Sequence, residues 1–195
     1  MITFDLVQNN NKTATLKKIK LYIATSLNGK IAKKDGSVDW LEAIPNPDKL
    51  DYGYAAFNET IDTTIQGYST YAQILGWDIP FPYPNTKNYV LTRKQEIANT
   101  EHVEFIKENH TGFIEKLKAE EGKDIWLIGG GQINTMLLNA GLIDEIQVFV
   151  MPIVLTEGIE LFELLPNETH LKLINSTTFP TGVIELKYQI LETGT

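Results

Sequence analysis

The sequence predicts a single α/β domain built on a mixed sheet, and three observations carry that prediction. Short apolar runs alternate with stretches of helical spacing through the first two thirds of the chain. Two of those runs end in glycine and pass straight into a helix, at Gly67 and at Gly129-Gly130-Gly131. The last third is a series of strand-like segments that closes in a hairpin. At 195 residues with 43% apolar content, the chain can bury one sizeable core, and no repeat, linker or shift of composition marks an internal boundary. Residues 1–18 are polar enough to read as a leader, ahead of a domain spanning 19–195.

Taken in order, "IKLYIA" (19–24) is a β-rich run that ends at the Asn28-Gly29 turn signal. Asn46-Pro47-Asp48 offers a cap with proline at the first helical position, and Leu50, Tyr54, Phe57 and Ile61 follow at helical spacing. "DTTIQG" (62–67) reads as a buried strand and "STYAQIL" (69–75) as a helix capped by Ser69 or Thr70. Three prolines keep 76–87 irregular before the strand "NYVLTR" (88–93). A short "VEFI", a helix through Phe113, Ile114 and Leu117, the strand "DIWLIGG" and the helix "QINTMLLNA" come next. In that last helix Ile133, Met136, Leu137 and Ala140 share the apolar face, and Gly141 suits the position just past its end. The strands "IQVFVMPIVL" (146–155), "LKLINSTTF" (171–179) and "VIELKYQIL" (183–191) finish the chain, the last two joined by Pro180-Thr181-Gly182. Ile184, Leu186, Tyr188 and Ile190 alternate with Glu185, Lys187 and Gln189, the pattern of an antiparallel strand with one face wet.

Composition narrows the chemistry. With no cysteine there is no disulfide, thiolate nucleophile or cysteine-bound metal. A net charge of −8 repels phosphate backbones, so nucleic acid is not an expected partner. No apolar run is long enough for a membrane span and no secretory signal pattern opens the chain, so a cytoplasmic protein is expected. His102, His110 and His170 are scattered without the mutual spacing of metal ligands; a structural role is expected for them and no metal.

The glycine junctions are the chemical signal. A strand that ends in "IGGG" and enters a helix leaves unpaired N–H groups at the positive end of a helix dipole. Without side chains in the way, a phosphate reaches them at hydrogen-bond distance. "GGGQIN" is neither GxGxxG nor a Walker loop, and tight strand–helix packing explains the glycines equally well. A second junction at Gly67 brings the hydroxyls of Ser69 and Thr70 to another helix start, and "VLTRK" ends a strand with Thr92, Arg93 and Lys94 together. Two helix starts can cradle one dinucleotide, and the two cations suit a 2′-phosphate.

The ordered set "YIATSLNGKIA", "DGSVDWLE", "YGYAAFNETIDTTIQGYSTY", "NYVLTRK", "DIWLIGGGQI" and "LIDEIQVFVMPIVLTEGIELF", with the closing hairpin, resembles the dihydrofolate-reductase-like superfamily. Within it the chain is most similar to the bacterial branch that shares its domain with the reductase half of the riboflavin-biosynthesis deaminase-reductase, over about Ile19 to Leu191. The resemblance implies a mostly parallel sheet flanked by helices, and NADPH as cofactor. It places Ala24 and Ile31 beside the nicotinamide, the loop Gly67, Tyr68, Ser69 and Thr70 together with Gly129, Gly130, Gly131 and Gln132 at the phosphates, and Thr92, Arg93 and Lys94 at the 2′-phosphate. Tyr68 stands where the family usually has arginine, Asn28 where it has aspartate, and Thr156 and Glu160 where it has glycine and proline. Gly53 falls near the acidic position by which dihydrofolate reductases hold a pterin, with Asp51 two residues away, so folate reduction is the weaker reading.

Hydride transfer needs the acceptor held near the nicotinamide and a proton source for the atom that turns negative. Asp39 and Asp51 are the candidates for proton supply or substrate polarisation, with a helix cap or an exposed loop carboxylate as the ordinary alternative for Asp39. Asn28, Trp40 and Phe57 are expected to meet a planar substrate, with Tyr54 beside Phe57, although aromatic residues at helical spacing also serve as plain core. The expected function is an NADPH-dependent reductase of a small heterocyclic or carbonyl compound, similar to 5-amino-6-(5-phosphoribosylamino)uracil reductase. Dihydrofolate reduction and a nucleotide-binding module without catalysis are the alternatives. The strand 146–155 is apolar on both faces, so a homodimer with Phe149 at its interface is expected.

Overall fold

In the computed structural model, which describes residues 16–165 and 168–191, the glycine-ended strands sit side by side at the middle of one sheet. In chain order the strands are β1 (Ile19–Ser26), β2 (Lys30–Ala32), β3 (Ile61–Gly67), β4 (Lys87–Leu91), β5 (Glu104–Ile106), β6 (Asp124–Gly129), β7 (Glu145–Met151), β8 (Ile159–Glu160), β9 (Leu171–Thr178) and β10 (Ile184–Ile190). The helices are α1 (Tyr54–Glu59), α2 (Tyr68–Leu75), α3 (His110–Lys118) and α4 (Gly131–Asn139), with a 3-10 turn at Asp39–Leu41. Eight strands run in the order β5-β4-β3-β6-β1-β7-β10-β9; all pairs are parallel up to β7, and the β7–β10 and β10–β9 pairs are antiparallel. β2 and β8 form a separate antiparallel ribbon. The predicted α/β domain, with its mostly parallel sheet and C-terminal antiparallel hairpin, is the fold observed.

Strand alternation splits the interior in two. Leu21, Ile65, Leu127 and Ile146 turn to the face covered by α3 and α4, where they meet Ile114, Leu117, Leu137 and Leu138. Ile19, Leu21, Ile65, Ile114, Ile125, Leu127 and Leu137 are wholly buried, each worth roughly 1.5–3 kcal/mol relative to exposure. The opposite face carries Tyr22, Trp126 and Phe149, roofed by α1 and the front loop that holds Trp40 and Ile44. Farther along that face α2 sets Tyr71 against Val90, Val103 and Phe105.

Several expectations are corrected. The helix read from 46 to 61 shortens to Tyr54–Glu59, because Lys49 and Tyr52 adopt positive φ (50° and 54°) and the Asn46 side chain bonds the backbone of Leu50 at both its N–H and its C=O. Such side-chain-to-backbone bonds compete with the helical ladder. Neither Ser69 nor Thr70 caps α2; Gly67 occupies the cap position without a side-chain bond. In α4 the buried residues include Asn134, Thr135 and Leu138, whereas Ala140 is exposed and Gly141 ends the turn at φ 65°. β7 stops at Met151, short of the predicted 155.

Phe149 does not face a partner surface. It is 5% exposed, packed with Trp40, Met151 and Val183 and tilted against the Tyr22 ring at 4.8 Å, so the front loop and the hairpin cover that face from within the chain. Of the expected leader, residues 1–15 lie outside the described residues. Lys17 belongs to the folded body: it is 2% exposed, with its ammonium 2.6 Å from Asp62 and 3.0 Å from the Thr63 hydroxyl. Partial burial works against the Asp62 charge, but the Lys17 ammonium, the Thr63 hydroxyl and the Lys123 N–H together hold its carboxyl below the usual range.

Candidate functional site

β3 and β6 are adjacent and parallel, with Gln66 opposite Gly129, so their ends and the helices that follow come out together. The three glycines at the end of β6 answer to three different demands. Gly129 has φ 113°, a backbone that side chains rarely adopt, and its peptide bond to Gly130 is cis. Gly131 is hemmed in by protein: a Cβ there would lie 2.3 Å from the Glu160 carbonyl oxygen. Gly130 is different again, extended at φ −76° and ψ −173°, and a Cβ there would meet only the Thr70 hydroxyl, at 3.4 Å. The space in front of Gly130, between the starts of α4 and α2, is open. At Gly67 a Cβ would press on Ile133 at 3.0 Å, which makes that glycine a packing residue of the same junction.

Buried polar atoms gather around this junction without partners. Gln66 is wholly buried, and neither its amide nitrogen nor its oxygen has a hydrogen-bond partner among the described residues. Asn134, equally buried, donates to the Leu161 carbonyl at 3.0 Å, but its Oδ1 is unpaired and lies 3.3 Å from where a Gly129 Cβ would stand. Groups of this kind are usually satisfied, and these two lie together at the junction, beside Gly129. With the open Gly130, the uncapped helix starts and the hydroxyls of Ser69 and Thr70, these residues fit an anionic nucleotide.

The register Gly67↔Leu91 carries the end of β4 alongside. Thr92 is buried, its N–H bonded to Ile106 O at 2.9 Å and its hydroxyl accepting from Lys94 N at 3.1 Å. His110 Nε2 lies 3.2 Å from Thr92 O and 3.0 Å from Ile106 O, which makes it a brace for this strand end. Arg93 and Lys94 are exposed, and no carboxylate pairs with either among the described residues. Gln132 is exposed on the first turn of α4.

At the front, Phe57 and Tyr54, which the sequence singled out, join an aromatic cluster with Tyr22, Tyr83 and Trp126, which it did not. Tyr22 stacks on Phe57 at 4.1 Å and stands edge-on to Trp126 at 6.1 Å; Tyr54 and Tyr83 meet Trp126 at 5.8 and 5.2 Å. The Trp126 indole N–H donates to Tyr22 O at 3.0 Å and so fixes the cluster to β1. Ala24 lies two residues beyond Tyr22 on the same strand face, and Ile31 is the middle residue of β2. Burial, with Glu185, Asp51 and Tyr54 nearby, pushes the Tyr22 phenol far above its ordinary value, and burial raises that of Tyr54 as well. Both hydroxyls stay protonated at neutral pH. Trp40 is 3% exposed and its indole N–H has no partner among the described residues.

Three expected site residues are occupied with structural work. The Asp51 carboxylate accepts from Gly53 N at 2.9 Å and Ala55 N at 3.1 Å, and these bonds hold its carboxyl below the usual range. Asp39 is held low by its contact with Lys33, at 2.8 Å, and by the Ser37 hydroxyl. Both carboxylates are exposed and are engaged by these neighbours. Asn28 accepts from Leu155 N and donates to Leu155 O, tying the β1–β2 turn to the loop before β8 rather than facing a substrate. Lys30 pairs with Glu160, and Leu161 N bonds Gly29 O, so the β2–β8 ribbon lies against the start of α4. Among the described residues, no cluster of three His, Asp or Glu side chains is placed to hold a metal ion, and no helix is long and apolar enough to cross a membrane.

Comparison with known proteins identifies the family and the fold. The family model of the RibD C-terminal domain matches residues 83–184. The Bacillus subtilis (strain 168) protein YwjB is 41% identical over 167 residues, covering 86% of this chain and 95% of its own length. A crystal structure of a protein assigned to riboflavin biosynthesis in Shewanella sp. PV-4 superposes with a TM-score of 0.82 at 29% identity, over 90% of this chain and 99% of the other. The dihydrofolate reductase of Enterococcus faecalis, solved with NADP(H), shares the fold at a TM-score of 0.66 and 17% identity, over 90% and 97% of the two chains. The resemblance read from the motifs therefore holds, and the chain belongs to the RibD C-terminal domain family.

Proposed function

We propose that the protein is an NADPH-dependent reductase that delivers a hydride to a small planar heterocycle or carbonyl compound, of the kind reduced by 5-amino-6-(5-phosphoribosylamino)uracil reductase, and that it works in the cytoplasm. The observation that carries this reading is the open position at Gly130, facing Thr70 between two uncapped helix starts, while the glycines on either side are explained without a ligand. Backbone N–H groups there, with the Ser69 and Thr70 hydroxyls, hold the pyrophosphate. Arg93 and Lys94 take the 2′-phosphate and Thr92 positions them. Bound NADPH supplies the hydride.

In front, Tyr22 and Tyr54 stand at the rim of the packed Phe57–Trp126 cluster, and their hydroxyls remain to donate to a bound ring. Asp39 and Asp51 being tied up, a protonated phenol is the group left to stabilise charge that develops on the reduced substrate. No carboxylate enters the cluster from α1, which disfavours folate as the substrate.

Titration with NADPH and NADH, followed by tryptophan fluorescence, tests the cofactor. NADPH should bind more tightly, and Arg93→Ala should cost it roughly tenfold while NADH is unaffected, the worth of one charge-assisted contact at about 1.5 kcal/mol. Equal weakening of both would remove Arg93 from the 2′-phosphate; no binding of either would overturn the reading. NADPH binding without oxidation by any small carbonyl or dihydropterin would favour a nucleotide-binding module instead.

A homodimer remains part of this reading, on a different surface. β9 is an edge strand, and Leu171, Leu173 and Ile174 on it, with Ile184 of β10, are each 41–51% exposed. Exposed apolar edges of this kind are normally covered. Light scattering should give twice the 22.0 kDa chain mass, falling to one chain in Leu173→Glu. A wild-type mass of one chain would remove the dimer.

A further inference from the structure

The geometry points to Tyr68 as the positioning residue for cofactor choice: its ring holds the Lys94 ammonium where related loops carry an arginine of their own, and so lets this chain tell a 2′-phosphate from a 2′-hydroxyl. The inference rests on the cofactor reading above. Lys94 Nζ lies 3.8 Å from the centroid of the Tyr68 ring, a cation–π contact. The two residues come from different strand ends, which the register Gly67↔Leu91 brings side by side. Neither is loosely held. Tyr68 is half-buried and packs on Tyr71 and Phe105, with ring centroids 6.2 and 6.5 Å away, and Lys94 is fixed at its backbone by the buried Thr92 hydroxyl.

A lysine is a point charge on a flexible stem, and it reads a phosphate poorly unless something sets its direction. No carboxylate does so for Lys94 among the described residues, and an acidic partner would in any case neutralise the charge. An aromatic face directs the ammonium and leaves its charge available. The tyrosine at the helix start thus replaces a guanidinium with a surface on which a neighbouring cation rests.

Calorimetry with adenosine 2′,5′-bisphosphate and with AMP, which differ only in the 2′-phosphate, isolates this effect from catalysis. The wild-type protein should prefer the bisphosphate. Tyr68→Ala should weaken the bisphosphate roughly tenfold and leave AMP within about twofold, and Tyr68→Phe, which keeps the ring, should behave as wild type. Lys94→Ala added to Tyr68→Ala should cost little more, since the two act as one unit. Equal loss of both nucleotides in Tyr68→Ala would mean that the ring stacks on adenine or supports the fold, and would overturn the proposal, as would a Tyr68→Phe variant that behaves like alanine. A wild-type protein that prefers the bisphosphate while Tyr68→Ala changes nothing overturns this inference alone. A wild-type protein that binds neither nucleotide overturns the cofactor reading and this inference with it.

Discussion

Gly130→Val should lose NADPH binding by about 100-fold while the protein stays folded. The backbone at Gly130 is extended and open to any residue, and a Cβ would find only the Thr70 hydroxyl, at 3.4 Å. The fold therefore has room for a Cβ, while a bound phosphate would be displaced by the rest of the side chain. An isopropyl group there stands between the starts of α2 and α4 and keeps a phosphate from their N–H groups. Losing two such contacts at roughly 1.5 kcal/mol each amounts to about 3 kcal/mol, or two powers of ten in affinity. Fluorescence titration measures the loss and circular dichroism the fold. Undiminished NADPH affinity would mean that the opening at Gly130 does not face the cofactor, and a collapsed dichroism spectrum would mean that this glycine, too, serves packing.

Gly131→Ala, one residue on, should do the opposite: destabilise the protein by about 2–3 kcal/mol. Alanine is the better helix former by about 1 kcal/mol, so propensity alone favours the substitution. The added methyl, however, would stand 2.3 Å from the Glu160 carbonyl oxygen, and the obstacle is backbone rather than a side chain that can swing away. Glu160 cannot retreat freely, because β8 is paired with β2, Leu161 N is bonded to Gly29 O and Leu161 O to the Asn134 amide. Overpacking against a held backbone costs typically 1–3 kcal/mol or more. For a chain of this size that corresponds to a melting temperature lower by roughly 4–12 °C, read by thermal denaturation. An unchanged or raised melting temperature would show that the β2–β8 ribbon yields, and that α4 is not locked to it.

These adjacent glycines show what the sequence carries and what it withholds. The strands β3 and β6 and the helix α4 were legible because the β-rich runs "DTTIQ" and "DIWLI" end in glycine and the periodicity changes at that point. Three glycines in a row were equally legible as a place of close approach. Which of them is left open and which is crowded depends on Glu160, about thirty residues away in sequence and brought in by the β2–β8 ribbon, and no local pattern reports that. The front loop was misread for a related reason. Asp51 and Asn46 bond nearby backbone groups, the usual habit of short polar side chains, and the turn they build replaced a helix and engaged the Asp51 carboxylate together. Phe149 sits on a strand that is apolar on both faces, and a period of two cannot say whether the second face meets another copy or the chain's own Trp40.

The strand order also governs the order in which the protein can be made. β1 is the first of the described strands, yet both its neighbours in the sheet come late: Ile19 pairs with Ile125 of β6, and Lys20 with Glu145 of β7. On a ribosome that adds roughly 5–20 residues per second, the 106 positions from 19 to 125 take roughly 5–20 s to synthesise. For that interval a strand carrying Ile19, Leu21, Tyr22 and Ile23 has no partner to pair with, and β3 and β4 can form only the far side of the sheet. Contacts this distant in sequence fold slowly and leave apolar edges open while they wait. The placement of β1 between β6 and β7 thus leaves its apolar strand unpaired until the last third of the chain begins to emerge.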